Sequence, residues 1–144
     1  MRQDFAAARK LRVGLVSLEV PLISNLPVWA NIALIRQYHR NTPWPEAKAL
    51  AEGLLGRLGA ASIAEKRSAA LTAEERFSAM LLRAAMVRDA IVVLDRPFSI
   101  LPRTLGGRQL MAILAKVDDL IAEAYIFDYS WEKERYGVED VKEN

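Results

Sequence analysis

The sequence predicts a helix-rich α/β fold, with about three mainly parallel strands and a helical subdomain inserted between strands one and two. Three observations predict it. The 144 residues, 52% hydrophobic and 26% charged, have the size and balance of one globular domain. Residues 91–94 form a short continuous apolar run, which is typical of a strand buried in a parallel sheet. Apolar residues at helical spacing over 47–58 place an amphipathic helix before that strand.

The amino-terminal part is expected to form one strand and one helix. Residues 1–10, rich in Ala and Arg, are expected to be a lead-in or a short helix. Residues 11–17 are β-branched and apolar enough for the first strand, which Pro21 would end. Ser24 or Asn25 is expected to cap a helix that begins at Val28 and ends before residue 41.

The middle of the chain is predicted to be helical. The helix over 47–58 is expected to end at Gly59 in a left-handed conformation, and a short helix should follow over 62–69. Thr72 and Glu75 have the spacing of a capping box, in which each side chain bonds the backbone amide of the other residue. They would begin a helix that ends near residue 88.

The carboxyl-terminal part is expected to complete the sheet. The strand over 91–94 ends at Asp95, a helix should run from about Thr104 to Ile121, and residues 125–127 form a third strand. The chain is therefore expected to be a single domain, 1–144. In it, 11–20 and 89–130 form the α/β part, 21–88 the helical subdomain and 131–144 a charged tail.

Composition excludes several classes of function. A net charge of +2 is too small to indicate nucleic acid or an anionic membrane surface as a partner. No cysteine and a single histidine, His39, speak against a metal centre or a catalytic triad. No apolar run reaches the ~18 residues of a membrane helix, and no signal peptide is expected. We therefore expect a cytoplasmic protein with no direct membrane insertion, no cofactor and no metal site.

Five local patterns carry a resemblance to a known family. They are RVGLVSLE at 12–19, LISNLPVWANIAL at 22–34, LTAEER at 71–76, Arg83-Ala84, and IVVLDRPFS at 91–99. Together they resemble the C-terminal half of the ATP-binding subunit of ABC transporters. The resemblance implies a Q-loop strand, a helical subdomain, a signature region, a Walker B strand and a switch region, as in a truncated P-loop NTPase.

The chain departs from that family at nearly every position that carries chemistry. No G-x-x-x-x-G-K-[ST] phosphate loop occurs in the sequence, and the D-loop aspartate position holds Pro102. Six further positions correspond to the family's chemical residues, and we call them the vestigial positions. They are Leu18 (Q-loop glutamine), Thr72 and Glu74 (signature), Asp95 and Arg96 (Walker B and catalytic Glu) and Tyr129 (switch histidine). Of these, Asp95 alone keeps the family's residue, the Walker B aspartate.

These departures predict a protein without ATPase activity. An arginine cannot act as a general base near neutral pH, and phosphoryl transfer needs positioned amides, a Lys and a metal. The expected function is an interaction or regulatory role toward an ABC transporter complex. The resemblance implies a permease or ATPase subunit as partner, with Leu22 and Trp29 as candidate contacts, and a place peripheral to the inner membrane through that partner. One alternative is the C-terminal half of a split ATPase, completed by a separate Walker A polypeptide; another is a relic domain with no partner.

Individual residues allow more than one interpretation. Asp95 could hold magnesium, but an ion pair with Arg96 or a helix N-terminus is preferred. Arg96 could bind an anion, although a surface ion pair is the simpler role. The aromatic residues near the carboxyl terminus could stack on bases, with core or lid packing preferred because no basic cluster adjoins them. These aromatic residues are Tyr125, Tyr129, Trp131 and Tyr136.

The missing Walker A strand leaves a structural problem. The resemblance places that strand beside residues 91–94, and a bare apolar strand edge promotes aggregation. Three solutions are open: the third strand pairs directly with 91–94, two copies pair across the edge, or another polypeptide supplies the missing half. We expect the first, combined with self-association.

Overall fold

The structure, a computed structural model, describes residues 12–136; for 38–40 and 135 it describes the backbone only. The fold is α/β, as the sequence predicts. Its strands are β1 (Val13–Val16), β2 (Ala90–Asp95) and β3 (Ile121–Phe127), and its helices are α1 (Val28–Arg40), α2 (Trp44–Arg57), α3 (Ala73–Ala85) and α4 (Gly107–Ala115). Short 3-10 helices lie at Ala61–Ile63, Ser68–Ala70, Pro97–Ser99, Asp118–Leu120 and Ser130–Tyr136.

The three strands form one parallel sheet in the order β1-β2-β3. Val16 lies beside Leu94, and Leu94 lies beside Ile126. The third strand therefore pairs directly with the second, which confirms the first of the three expected solutions. The sheet needs no strand between them.

Helices α1, α2 and α3 are inserted between β1 and β2, and the main core lies between them and one face of the sheet. Gly14 on β1 meets α3 so closely that an added Cβ would lie 2.2 Å from the Ala84 carbonyl oxygen. Side chains from both layers meet in this core, among them Val16, Ile32, Leu55, Phe77, Leu81, Val92, Leu94, Leu110 and Val117.

Two predicted caps are present. The Thr72 Oγ1 accepts from the Glu75 amide at 3.1 Å, and a Glu75 carboxylate oxygen accepts from the Thr72 amide at 2.9 Å, which confirms the capping box. Gly59 follows α2 with φ +69°, the left-handed conformation expected of it.

The start of α1 differs from the prediction. Its N-cap is Pro27, and no side chain caps it, so the proposed cap by Ser24 or Asn25 is wrong. The buried Asn31 organises this turn instead. Its side-chain amide accepts from the Ile23 amide and donates to the carbonyls of Ile23, Leu26 and Pro27. The first amides of α1, which a cap would have bonded, donate to backbone carbonyls instead: Val28 to Lys66 at 2.8 Å and Trp29 to Ala64 at 3.0 Å.

Three other boundaries also differ. The helix expected over 62–69 is two 3-10 turns, and α4 begins at Gly107 and ends at Ala115. Ile121 therefore belongs to β3, which is four residues longer at its start than predicted. A short turn at Asp118–Leu120 separates the two elements. The apolar spacing of the helix continues across this turn into the strand, which is why the sequence predicted a single helix that reaches Ile121. Residues 1–11, the tail beyond Tyr136 and the His39 side chain lie outside the described residues.

None of the helices that the structure describes within 12–136 is long and apolar enough to cross a bilayer.

Candidate functional site

The carboxyl ends of β1 and β2 bring Ser17 and Asp95 together. Val16 and Leu94 are neighbours in the sheet, so the residues that follow them are also adjacent. The buried Ser17 hydroxyl donates to Asp95 Oδ2 at 2.9 Å. This edge is where open parallel sheets place their ligand sites. Ser17 was missed in the sequence analysis, although a polar residue directly after a strand is a signal that could have found it.

The Arg96 guanidinium lies against the Asp95 carboxylate. Its Nε donates to Oδ1 at 3.2 Å and its Nη2 donates to Oδ2 at 3.4 Å. Its Nη1 donates to the Tyr129 hydroxyl at 3.4 Å, and the Glu19 carboxylate lies 3.8 Å from Nη2. The structure therefore brings three of the vestigial positions, Asp95, Arg96 and Tyr129, into one cluster.

The backbone at Arg96 makes this pairing possible. Arg96 has φ 48°, a left-handed conformation that costs a non-glycine residue about 1–2 kcal/mol. Its amide donates to the Phe127 carbonyl at 2.7 Å, so the strand pairing of β2 with β3 continues up to this residue. The bend turns the side chain back toward the residue before it, which places the cation over the Asp95 carboxylate.

The charges in the cluster stabilise one another. Arg96, and after it the Ser17 hydroxyl, hold the pKa of Asp95 below its usual value, because both donate hydrogen bonds to the ionised carboxylate. Asp95, and after it Tyr129, raise the pKa of Arg96 above its usual value. Both groups are therefore charged at neutral pH.

This arrangement does not fit magnesium–ATP. Magnesium prefers several oxygen ligands in octahedral geometry. Both Asp95 oxygens already accept hydrogen bonds, a guanidinium cation adjoins them, and Leu18 offers no ligand atom. Among the described residues, no group of three or more His, Asp or Glu side chains could hold a metal ion.

The other vestigial positions have local roles. Leu18 is exposed in the turn after β1, and Glu74 is exposed in the first turn of α3. The Thr72 side chain caps α3, so the amides of Thr72 and Glu75 are bonded within the protein. This helix start does not offer those amides to a phosphate group.

The carboxyl-terminal aromatic residues lie mostly on the surface. Tyr125, Tyr129 and Trp131 are exposed, so of the expected core or lid packing the core part is wrong for them, and packing as a lid stays a prediction. The rings of Tyr129 and Trp131 stack with centroids 4.3 Å apart and planes 7° apart. Tyr136 is half-buried and packs on Phe98 at 5.1 Å between centroids. For Tyr125 the reason is topological: β3 is an edge strand of the described sheet, and alternate residues along it face away from the core. Tyr129 and Trp131 follow the end of that strand.

The two candidate partner contacts differ in exposure. Leu22 is buried in the core and has almost no surface to offer a partner. Trp29 is half-buried, with the exposed Trp44 ring 6.3 Å away and the Lys48 ammonium 5.5 Å from the centre of its own ring. Lys48 in turn pairs with Glu65 at 2.8 Å. Between the two tryptophans of the helical region, Trp44 thus provides more of the exposed aromatic surface.

Comparison of the chain with models of protein families gives no match, and a search of curated proteins gives none either.

Proposed function

We propose that this chain is a non-catalytic protein of ABC-ATPase-like architecture, with an interaction or regulatory role toward an ABC transporter complex. The observation that carries the proposal is the ion pair of Arg96 with Asp95. In the resemblance to the ATP-binding subunit of ABC transporters, Asp95 corresponds to the Walker B aspartate, and Arg96 occupies the position of the catalytic glutamate.

The ion pair supports the loss of catalysis in two ways. Arg96 keeps its proton at any physiological pH, so it cannot accept one from an attacking water. Its positive charge also opposes a metal at Asp95. Two unit charges of like sign 4 Å apart repel by about 4 kcal/mol at a surface-like dielectric, and a divalent ion would roughly double that cost.

The pairing of β2 with β3 argues against a split ATPase. A separate Walker A polypeptide would have to insert its strand between them. The register from Ile91–Glu123 to Asp95–Phe127 is continuous, so insertion would break the whole ladder. A non-catalytic role therefore requires less rearrangement than completion by a second chain.

The helical region supports an interaction role. Trp44 is exposed and is held by a ring contact with Trp29, which is in turn fixed by Lys48. Exposed, positioned aromatic side chains are common centres of protein–protein contacts. The proposed partner is a permease or ATPase subunit, through which this cytoplasmic chain would lie at the inner membrane.

The experiment compares the ATPase rate of a purified ABC transporter from the same host with and without this chain. We expect the chain to bind the transporter and change its rate, and Trp44→Ala to weaken both effects. Met111→Ala, at an exposed residue on α4, is the control and should change neither. Absence of binding to any of the host's transporters would refute the interaction role, and ATP hydrolysis by the chain alone would refute the non-catalytic one.

A further inference from the structure

None of the helices described within residues 12–136 belongs to a layer on the face of the sheet opposite the main core. In β1, Gly14 and Val16 face the core, so Val13 and Leu15 lie on the other face. The register places further apolar side chains beside them. This open sheet face consists of Val13, Leu15, Ile91, Val93, Tyr125 and Phe127.

The described helices pack on the core side. Helix α3 meets β1 at Gly14, and Leu110 of α4 shares the core with Val92 and Leu94. This follows from the right-handed connections of parallel strands. Because β1, β2 and β3 follow one another in the same direction across the sheet, both connections place their helices on the same face. Ile91 is buried in the central strand but is not part of that core.

Parallel sheets are nearly always covered on both faces, but on this face the two outer strands keep exposed apolar side chains, while Ile91 on the central strand is buried. Here Val13 is 42% exposed and Leu15 is 37% exposed, while Tyr125 is 44% and Phe127 is 59% exposed. These values are high for apolar residues inside a sheet. The face therefore has the properties of a surface that another layer covers.

The exposed aromatic surface continues beyond the strand ends. Tyr129 and Trp131 are 48% and 72% exposed, and Arg96 joins Tyr129 to the end of β2. A whole aromatic side chain has a surface of about 150–250 Å². At their exposed fractions, Tyr129 and Trp131 together with Tyr125 and Phe127 on β3 therefore expose about 450 Å². The smaller standard interfaces bury about 600 Å² on each partner, so this surface supplies most of that area, and Val13, Leu15 and the polar residues at its rim would supply the rest.

The charge pattern favours an identical partner. Two carboxylates lie in the strand rows of this face, Glu123 beside Ile91 and Asp95 beside Phe127. The Tyr125 hydroxyl donates to Glu123 at 2.8 Å, and Arg96 pairs with Asp95. Both carboxylates are therefore hydrogen-bonded within the described part of the chain, and they do not select an oppositely charged partner. Interface centres are depleted in charge and enriched in aromatic residues, and a two-fold contact uses the same patch on both copies.

We propose that two copies of this chain form a dimer by packing their open sheet faces together. The two sheets then form a sandwich with the helices outside, which covers the second face of each sheet. This inference does not depend on the proposed partner or on the absence of catalysis.

The test is the mass of the protein in solution, measured by size-exclusion chromatography with light scattering over a range of concentrations. We expect twice the 16.1 kDa of one chain at micromolar concentration. Leu15→Lys should raise the dimer dissociation constant at least tenfold, because it places two like charges at the contact. Leu50→Lys on α2 is the matched control, since Leu50 is also 37% exposed, and it should leave the dimer unchanged.

Phe127→Ser is a second variant that keeps the test valid if Leu15→Lys fails to fold, which circular dichroism will show. It should weaken the dimer by a similar factor. A monomer at all concentrations would overturn the proposal. So would a dimer that resists both variants, or aggregates that do not stop at two chains.

Discussion

The contact between β1 and α3 gives the sharpest test of the fold. Replacing Gly14 by Ala adds a Cβ that would lie 2.2 Å from the Ala84 oxygen, 2.7 Å from its carbonyl carbon and 2.8 Å from its Cα. These distances are roughly 1 Å short of ordinary contact. All three atoms belong to the backbone of a buried helix, so no side chain can move aside. The helix itself must shift.

Such overpacking costs about 3 kcal/mol, at the upper end of the usual range. For a chain of this size, 1 kcal/mol corresponds to about 4 °C in melting temperature. We therefore expect Gly14→Ala to lower the melting temperature by about 10 °C in a thermal scan followed by circular dichroism. On a strand without this neighbour the same change would be nearly neutral or stabilising.

Gly53→Ala is the matched control. Gly53 lies inside α2, and an added Cβ would meet nothing within 4 Å. The change should raise the melting temperature by about 4 °C, because Ala is about 1 kcal/mol better than Gly in a helix. If Gly14→Ala melts within about 2 °C of the original protein while Gly53→Ala shows the expected rise, α3 does not pack on β1 as described.

Three further predictions follow from single side chains. Thr72→Ala should lower the free energy of unfolding, measured in urea, by about 1 kcal/mol, because it removes the cap of α3. Thr72→Ser keeps the hydroxyl and should lower it much less. Equal losses for the two variants would contradict the cap. Asn31→Leu should cost about 2–3 kcal/mol, because it leaves the buried polar groups around Ile23 unpaired, and a loss below about 0.5 kcal/mol would argue against that network. Since the pKa of folded Asp95 is below the unfolded value of about 3.9, its contribution to stability is complete above about pH 5 and is lost as the pH falls through the folded pKa. Asp95→Asn should therefore be less stable than the original protein at pH 7 and nearly equal to it at about pH 2, and a difference that grows toward low pH would reverse this sign.

The sequence was sufficient for the parts of the fold that local chemistry determines. The amphipathic spacing over 47–58 and the pair Thr72–Glu75 predicted α2 and the start of α3, because both signals lie within a few residues of each other. The apolar run at 91–94 predicted β2. The direct pairing of β2 with β3 followed from a physical requirement, the need to cover a bare strand edge.

What the sequence could not predict depends on contacts between distant residues. The role of Asn31 depends on how the turn at Ile23 folds back on α1, which no local pattern specifies. The exposure of Tyr125 depends on which face of the sheet the helices cover. At the candidate site, the sequence predicted that Asp95 pairs with Arg96 or with a helix N-terminus, and the structure has the pair with Arg96. The third and fourth members, Ser17 and Tyr129, depend on the strand register and on the left-handed bend at Arg96, which no local pattern specifies.

Under the proposed function, Asp95 takes part in an internal ion pair with Arg96 and does not bind magnesium–ATP. Titration of the purified protein with magnesium–ATP in a calorimeter tests it most directly. We expect no saturable heat, for the original protein and for Asp95→Asn alike. Saturable binding that Asp95→Asn abolishes would show that the carboxylate holds the metal, and the account given for Arg96 would be wrong.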